Sequence, residues 1–596
     1  MRRAALFGFV LFAAAAVHAA TGNPLEAAFA AQGWQAEGTD DLSASLRRID
    51  GPQGKAICLD FDFNGVSGGA TVQKALPIDW PANFMLSFDV RGSMPANDLQ
   101  VKLLDASGDN VWWYRREALV PSTTWQSIDI SRSQVEFAWG PSADRTLRHT
   151  AALAFTVYAG HGGKGELCLD NLRLRALPPE AKNAAPPPAT PNALLEQRAK
   201  QVARGLYPRG FSGEQSYWTL VGTDGGAAHS ALMSEDGAVE VRRGGWSIEP
   251  MIFDGRHVID WASSNVTQSL LDGYLPMPTV RWQSGELLLD TTLIAAGDGD
   301  LLLRYVLSNT GALPRTVTLA LLQRPFQVNP PTQFLNTAGG VSPIRELSWN
   351  GQRVQVNGDL QVVPLQPGAS FVASTDKDGA LPERLWRGER PAASTLHDDS
   401  GLAQGALLYT IILPPHGQRV IGVAVPASTR SLMPPADPAA WLQHQQDDVA
   451  AHWRESLNRV TLALPASQQA IADTARSALA HILMSRDGPA LQPGTRSYGR
   501  SWVRDGAMMT EGLLRSGHGD VAAQFVHWYA PYQFRSGKVP CCVDARGSDP
   551  VPENDSHGEL IFAVGELWRY RRDRAELEAL WPHVERAVAY MDTLRA

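Results

Sequence analysis

Ser497-Tyr-Gly-Arg-Ser-Trp-Val-Arg-Asp-Gly506 decides how this chain is read, and Pro552-Glu-Asn-Asp-Ser-His-Gly-Glu559 follows it about fifty residues later. The first stretch packs aromatics, guanidiniums and a carboxylate together; the second adds the carboxylates of Glu553, Asp555 and Glu559 and the imidazole of His557. Each stands at the mouth of an apolar helical pattern. A hydroxyl-rich ligand needs this chemistry: a flat apolar face to stack on a ring, and planar bidentate donors and acceptors for vicinal hydroxyls. Asp505 and Asp555 also suit helix starts, where a carboxylate caps free amides at the positive end of the dipole. Either motif alone therefore reads equally well as a cap with a surface ion pair. Together they favour a carbohydrate site.

Working outward, the period of the sequence is helical after Pro434. Asp437–Arg459 has Asp437 as N-cap and Pro438 in the first turn, and helices recur at Ser467–Arg486, Asp505–Arg515, Asp520–Tyr529, Ser556–Arg572 and Arg574–Leu594. The loops that begin at Asp487 and Pro531 are long and rich in Gly, Pro and charge, the kind of segment that carries function. Before Pro434 the pattern is β. From Gly205 to about Thr429 strands alternate with turns such as Asp236-Gly, Asn350-Gly and Asn357-Gly-Asp, which predicts one large two-sheet sandwich.

A second β region spans residues 35–177, with period-two runs at Phe84–Val90, Leu99–Leu104, Ala154–Tyr158 and Leu167–Leu174. Trp112, Trp113, Trp125 and Trp139 offer either a stacking platform or core. Leu177–Pro191 is a Pro/Ala linker without apolar periodicity, and Asn192–Arg204 reads as a short helix. The expected organisation is a signal peptide at 1–20, a β-sandwich at 35–177 and a linker with short helix at 178–204. A large β-sandwich at 205–433, a connecting helix at 434–464 and a helical domain at 465–596 complete it.

At 596 residues the chain exceeds the roughly 250–300 residues at which single cores stop growing. A net charge of −8 leaves no electrostatic footprint for nucleic acid. Met1-Arg-Arg, the apolar run Ala4–Val17 and Val17-His-Ala-Ala20 read as a signal peptide with a small-residue cleavage site. The run is too short to anchor the chain in a membrane, so the expected location is secreted or periplasmic. Cys58 and Cys168 sit in near-identical strand patterns, where a disulfide and two buried thiols are equally open; Cys541-Cys542 are adjacent, which disfavours an ordinary bridge. No Cys/His spacing suits zinc.

Residues 35–177 resemble galactose-binding-like jelly rolls such as carbohydrate-binding modules, on the strand Phe61-Asp-Phe63, the stretch Leu99–Tyr114 and the closing strand Leu167–Arg175. Residues 205–596, with Trp502-Val-Arg-Asp-Gly-Ala507 between the first helices, resemble the six-hairpin glycosidases, glucoamylase-like hydrolases and their phosphorylase relatives. That resemblance implies a multidomain chain ending in an all-α (α/α)6 toroid, with Arg504 and Asp505 gripping the hydroxyls of the terminal sugar and Trp502 beside them. Asp555-Ser-His-Gly-Glu559 looks like the family's Gln-x-Asp-x-Tyr-Gly-Glu element, with His557 where the family has Tyr, so His557 and Glu559 would face the sugar. A full toroid has twelve helices, and about five follow Pro465, so the toroid is expected to be only partly present and the chain to be a fragment.

Inverting glycoside cleavage needs two carboxyl groups about 6.5–9.5 Å apart, one protonated and one ionised. Glu553 and Asp555 are the catalytic candidates here, and each also reads as a solvated loop charge or a helix cap. Successive inner helices of a toroid run parallel, so Trp502, Arg504, Asp505, Asp555 and Glu559 are expected to converge at one mouth. Asn329-Pro-Pro-Thr-Gln-Phe-Leu-Asn336 reads either as a proline-fixed strand edge or as a loop reaching that mouth. The leading expectation is a glycoside hydrolase acting on a poly- or oligosaccharide without cofactor or metal. The competing one is a non-catalytic glycan-binding protein, and phosphorolysis ranks behind both because no phosphate-binding cluster stands in 487–560. Mass spectrometry of the exported protein should find an N-terminus near Thr21; a chain beginning at Met1 would count against the signal.

Overall fold

The structure, a computed structural model, describes Leu25, residues 28–178 and residues 190–595 apart from 256, 298 and 429–431. The signal peptide and most of the Pro/Ala linker lie outside the described residues. Packing divides the chain into two compact units, residues 1–185 with 529–565 and 573–596, and residues 186–528 with 566–572.

In the first unit, residues 35–176 form two antiparallel sheets. One, six-stranded, runs in the order Gln35–Gly38, Gly69–Asp79, His149–Tyr158, Asn97–Leu104, Val111–Leu119, Glu136–Trp139; the other, five-stranded, runs Ser43–Gly51, Gly54–Asp62, Lys164–Ala176, Phe84–Ser93, Gln126–Ser131. Alternation places Phe84, Leu86, Phe88 and Val90 in the core between them. Cys58 and Cys168 are register partners on neighbouring strands and form a disulfide, which resolves the open alternative in favour of the bridge. Residues 535–550 pack on this sandwich: Lys538 pairs with Asp40 at 3.0 Å, the Ser67 amide donates to Ser548 O at 2.9 Å, and the Ser548 amide donates to Gly65 O at 3.1 Å. Gly547 has φ +102, and a Cβ there would lie 1.8 Å from Gly65 O, so only glycine allows this approach. The first unit therefore reaches beyond the expected 35–177.

In the second unit, an eight-stranded and a nine-stranded antiparallel sheet enclose a core that includes Trp246, Leu293, Leu303, Tyr305, Leu319 and Leu407. The helices of the chain are α1 Pro191–Ala199, α2 Leu381–Trp386, α3 Pro438–Leu457, α4 Gln469–Ser485, α5 Val503–Arg515, α6 Gly519–Tyr529, α7 Ser556–Arg571 and α8 Arg574–Arg595. α3 starts as its sequence dictates, with Asp437 accepting from the Ala439 and Ala440 amides at 3.1 Å and Pro438 opening the helix. α5 and α6 approach closely because residue 506 is glycine; a Cβ there would meet the Phe525 ring at 2.1 Å. The architecture is thus mostly β-sandwich with a C-terminal helical region. The helices after Pro465 that the structure describes, α4 to α8, do not by themselves make a toroid. No helix among the described residues is long and apolar enough to cross a membrane.

The loop between α4 and α5 is fixed to the sandwich by a buried ion pair. Arg496 lies 2.9 Å from Glu240, with side chains 4% and 0% exposed. Arg496 also donates to Ser230 Oγ, Ser230 O and Thr495 Oγ1, while Glu240 accepts the amides of Asn329 at 3.0 Å and Gly244 at 3.1 Å. Because the site is dry, removing one partner strands the other charge. Glu240→Ala should lower the unfolding free energy of this unit in urea by about 3–5 kcal/mol, and a loss within the scatter of surface substitutions would show that the pair is not what fixes the loop.

Candidate functional site

The two motif groups fall in different compact units, and each is built from its own neighbours. In the first, Trp502 is the N-cap residue of α5, in extended conformation at φ −94 and ψ 132. The helix starts at Val503 and not at Asp505 as the sequence suggested. The cause is packing: Val503, Ala507, Thr510 and Leu514 are buried at helical spacing, so the apolar stripe runs back past the carboxylate. Asp505 consequently stands in the first turn, half-buried and within reach of the dipole, and Arg504 is exposed. Tyr498 meets the Trp502 ring edge-on at 6.3 Å and the Arg500 guanidinium stands 5.7 Å from its centre. The Trp502 indole N–H is buried and has no hydrogen-bond partner among the described residues. Tyr498 holds φ +54, a left-handed conformation that costs a bulky residue energy.

One hydrogen bond ties the large sandwich to this group, and Arg243, itself bonded within the sandwich, stands so close to Gly499 that a Cβ there would lie 2.5 Å from its Nη2. Asn336 Oδ1 accepts the Gly499 amide at 3.1 Å, and Arg243 Nε donates to Thr337 Oγ1 at 3.0 Å. The Asn329–Asn336 segment therefore reaches the loop that precedes Trp502. Tyr498 and Arg500 lay in the opening stretch without being named as site residues, Asn336 ended the loop that one reading sent to the mouth, and Arg243 was absent from the sequence candidates. The signal for Tyr498 and Arg500 lay in their spacing from Trp502, whereas Arg243 is remote in sequence and gave none.

In the second group, Glu553 is half-buried and Asp555 exposed, immediately before α7, where the Asp555 carbonyl accepts the Glu559 amide at 3.1 Å. Glu559 lies in the first turn, half-buried. His557 is 2% exposed; its Nδ1 accepts the Val539 amide at 3.1 Å and its ring meets Tyr590 edge-on at 4.9 Å. The imidazole thus ties the loop to the helix start. Burial, reinforced by the Lys538 charge and opposed by Asp555, holds its pKa below the usual histidine range. Asp544 is engaged with Arg546 at 2.6 Å.

The tryptophans of the first unit's sandwich divide. Trp112 is core, its indole donating to Arg145 O at 2.7 Å. Trp113 and Trp139 pair edge-to-face at 5.4 Å, with Arg115 stacked on Trp113 at 5.1 Å and Trp113 Nε1 bonded to Glu136 at 2.9 Å. Trp139 is 46% exposed. Lys102, on the adjoining strand, is pushed down to about 8 by burial, with Glu37 pulling the other way. In the large sandwich a cavity of about 40 Å³ is lined by Arg209, Asp236, Glu249, Trp261 and Trp282. The Trp261 face is already taken by the guanidiniums of Arg204 at 4.5 Å and Arg209 at 4.4 Å, so it is no stacking platform.

No family model matches the chain, and no curated protein matches it. Among solved structures, the chain is similar to a family 11 carbohydrate-binding module of a cellulosomal cellulase of Clostridium thermocellum, at 19% identity over 27% of this chain and 97% of that one, with TM-score 0.23. It is also similar to a bacterial glucoamylase complexed with acarbose, at 10% identity over 60% of this chain and 57% of that one, with TM-score 0.42. A putative kojibiose phosphorylase from human microbiome matches at 8% identity over 60% of this chain and 50% of that one, with TM-score 0.30. The chain thus spans about half the length of the two enzymes.

His481, His518 and His583 are shifted down like His557, each first by burial. The unfolded chain takes up these protons first, near pH about 6.5, so stability is full above that value and falls as pH drops toward the folded pKa values. The melting temperature should be lower at pH about 5.5 than at about 7.5. His557→Gln keeps an acceptor for the Val539 amide and should flatten this dependence; an unaltered slope would remove His557 from it.

Proposed function

We propose that this chain is an exported carbohydrate-active protein, a glycoside hydrolase acting on a poly- or oligosaccharide. The observation that carries the reading is the Trp502 group: an indole with an unpartnered N–H, flanked by Tyr498 and Arg500, next to Arg504 and the half-buried Asp505. Such a group gathers aromatic rings, guanidinium donors and a carboxylate acceptor in one place, the types of group that sugar recognition uses. Asp505, on the first helical turn, is assigned to hold hydroxyls as a binding group. Proton transfer is assigned to Glu553 and Asp555 at the start of α7, and substrate binding to Glu559 in the first turn of that helix. His557 serves that turn by holding the Val539 backbone. In the six-hairpin reading, α4 to α8 belong to a toroid.

The second reading, a glycan-binding protein without hydrolysis, is favoured by a different observation, the exposed Trp139 paired with the half-buried Trp113 on the first sandwich. Calorimetry and reducing-end assays on a panel of glucans, xylans and α-linked oligosaccharides separate the two. Hydrolysis is expected, with Asp505→Asn raising KM or the dissociation constant by tenfold or more, about 1.4 kcal/mol, and Glu553→Gln lowering kcat with binding retained. Binding without product release, weakened by about 1–3 kcal/mol in Trp139→Ala and untouched in Asp505→Asn, would overturn hydrolysis in favour of the second reading.

A further inference from the structure

Cys541 and Cys542 have no part in the carbohydrate reading. Both are buried, and their Sγ atoms are 3.0 Å apart, about 1 Å more than the roughly 2.05 Å of a covalent S–S bond. This is unusual for neighbours in extended chain, where successive side chains point to opposite faces. The backbone on both sides is fixed. Before the pair, Tyr529 Oη donates to Pro540 O at 3.0 Å and the Val539 amide donates to His557 Nδ1 at 3.1 Å. After it, Cys542 opens the strand Cys542–Asp544, and its carbonyl accepts the Asp549 amide at 3.0 Å. The two sulfurs are therefore held face to face by anchors that do not involve them. Asp549 is the other group that joins them, its carboxylate oxygen and both sulfurs lying within 4.8 Å of one another.

We propose that Cys541 and Cys542 close a vicinal disulfide, a ring that contains the peptide bond between them. The chemistry is thiol–disulfide exchange with an external disulfide, either a small molecule such as oxidised glutathione or a disulfide-bearing oxidase. One cysteine thiolate attacks the external S–S bond and releases the first external thiol; the second cysteine then attacks the mixed disulfide and releases the other. Two protein S–H bonds are lost and one S–S bond forms, and the two hydrogens end on the two external thiols. The ring stiffens the entry to the turn Cys542–Ser548, hence the segment leading toward Glu553, Asp555 and the His557 anchor. The ring is compatible with the sequence expectation, since adjacency disfavours an ordinary bridge but not an eight-membered vicinal one.

The test uses the whole chain, refolded or equilibrated in a glutathione redox buffer so that it does not depend on export. The protein is then denatured without reductant in the presence of an alkylating agent and mapped by peptide mass. The expected result is no alkyl group on any of the 4 cysteines and a 541–542 peptide lighter by two hydrogens. After reduction, all 4 should alkylate. Cys541→Ser and Cys542→Ser should each leave one alkylatable thiol. Alkylation of both Cys541 and Cys542 while Cys58–Cys168 stays closed would overturn the ring. So would a bridge from either residue to any other cysteine, or retention of zinc by the native protein with both thiols intact, which would assign the pair and Asp549 to a metal instead.

Discussion

The loop that carries the aromatic and guanidinium cluster has little regular structure of its own, so its position depends on one buried ion pair. Arg496 and Glu240 are both out of water, and each would be costly alone. Their mutual attraction and the surrounding hydrogen bonds offset that cost only in one geometry. Glu240 belongs to a short strand of the large sandwich, and the same carboxylate takes the Asn329 amide. One charge thereby sets the origin of two loops, the proline-rich segment after Phe326 and the segment that ends at Trp502. Asn336 and Gly499 then meet because both loops are measured from the same anchor.

This arrangement explains why a strained residue survives nearby. Tyr498 at φ +54 is tolerated because Arg496 on one side and the Gly499–Asn336 contact on the other determine the backbone between them. The strain turns the Tyr498 ring toward Trp502 without help from a regular element. Rigid scaffold and irregular loop thus divide the work: the sheets supply fixed charges, and the loop supplies rings and donors.

Helix existence and type were legible in the sequence, since 3.6-residue periodicity and the Asp437-Pro438 start depend only on local chemistry. The α5 boundary was misplaced because a carboxylate at a helix start is a local cue, while the true start is set by where Val503 is buried. The strand alternation of residues 35–177 was legible, and so was the possibility of the Cys58–Cys168 bridge, but its formation depended on strand register, which sequence spacing does not encode. The anchors are the illegible part. Glu240 and Arg496 are separated by 256 residues, and neither belongs to a motif. The packing of residues 535–550 on the first sandwich was hidden for the same reason, since Asp40 and Lys538 gain meaning only once the chain has folded.

The Pro552–Glu559 stretch shows how one short motif divides its labour by burial. Asp555 and His557 are two residues apart, yet one is exposed and the other is 2% exposed. At the start of a helix, residues two apart point about 200° from one another, so they cannot share an environment. His557 faces inward, where burial favours the neutral ring and a lone pair can accept the Val539 amide. Asp555 faces water, where its charge costs little. Glu559, one turn further, returns toward the Asp555 side and is half-buried. A carboxylate that must exchange protons with a substrate needs contact with the outside and a stable frame behind it. In the proposed reading, Asp555 and Glu553 are the carboxylates assigned to that contact, and His557, tied to the Val539 amide, is the frame.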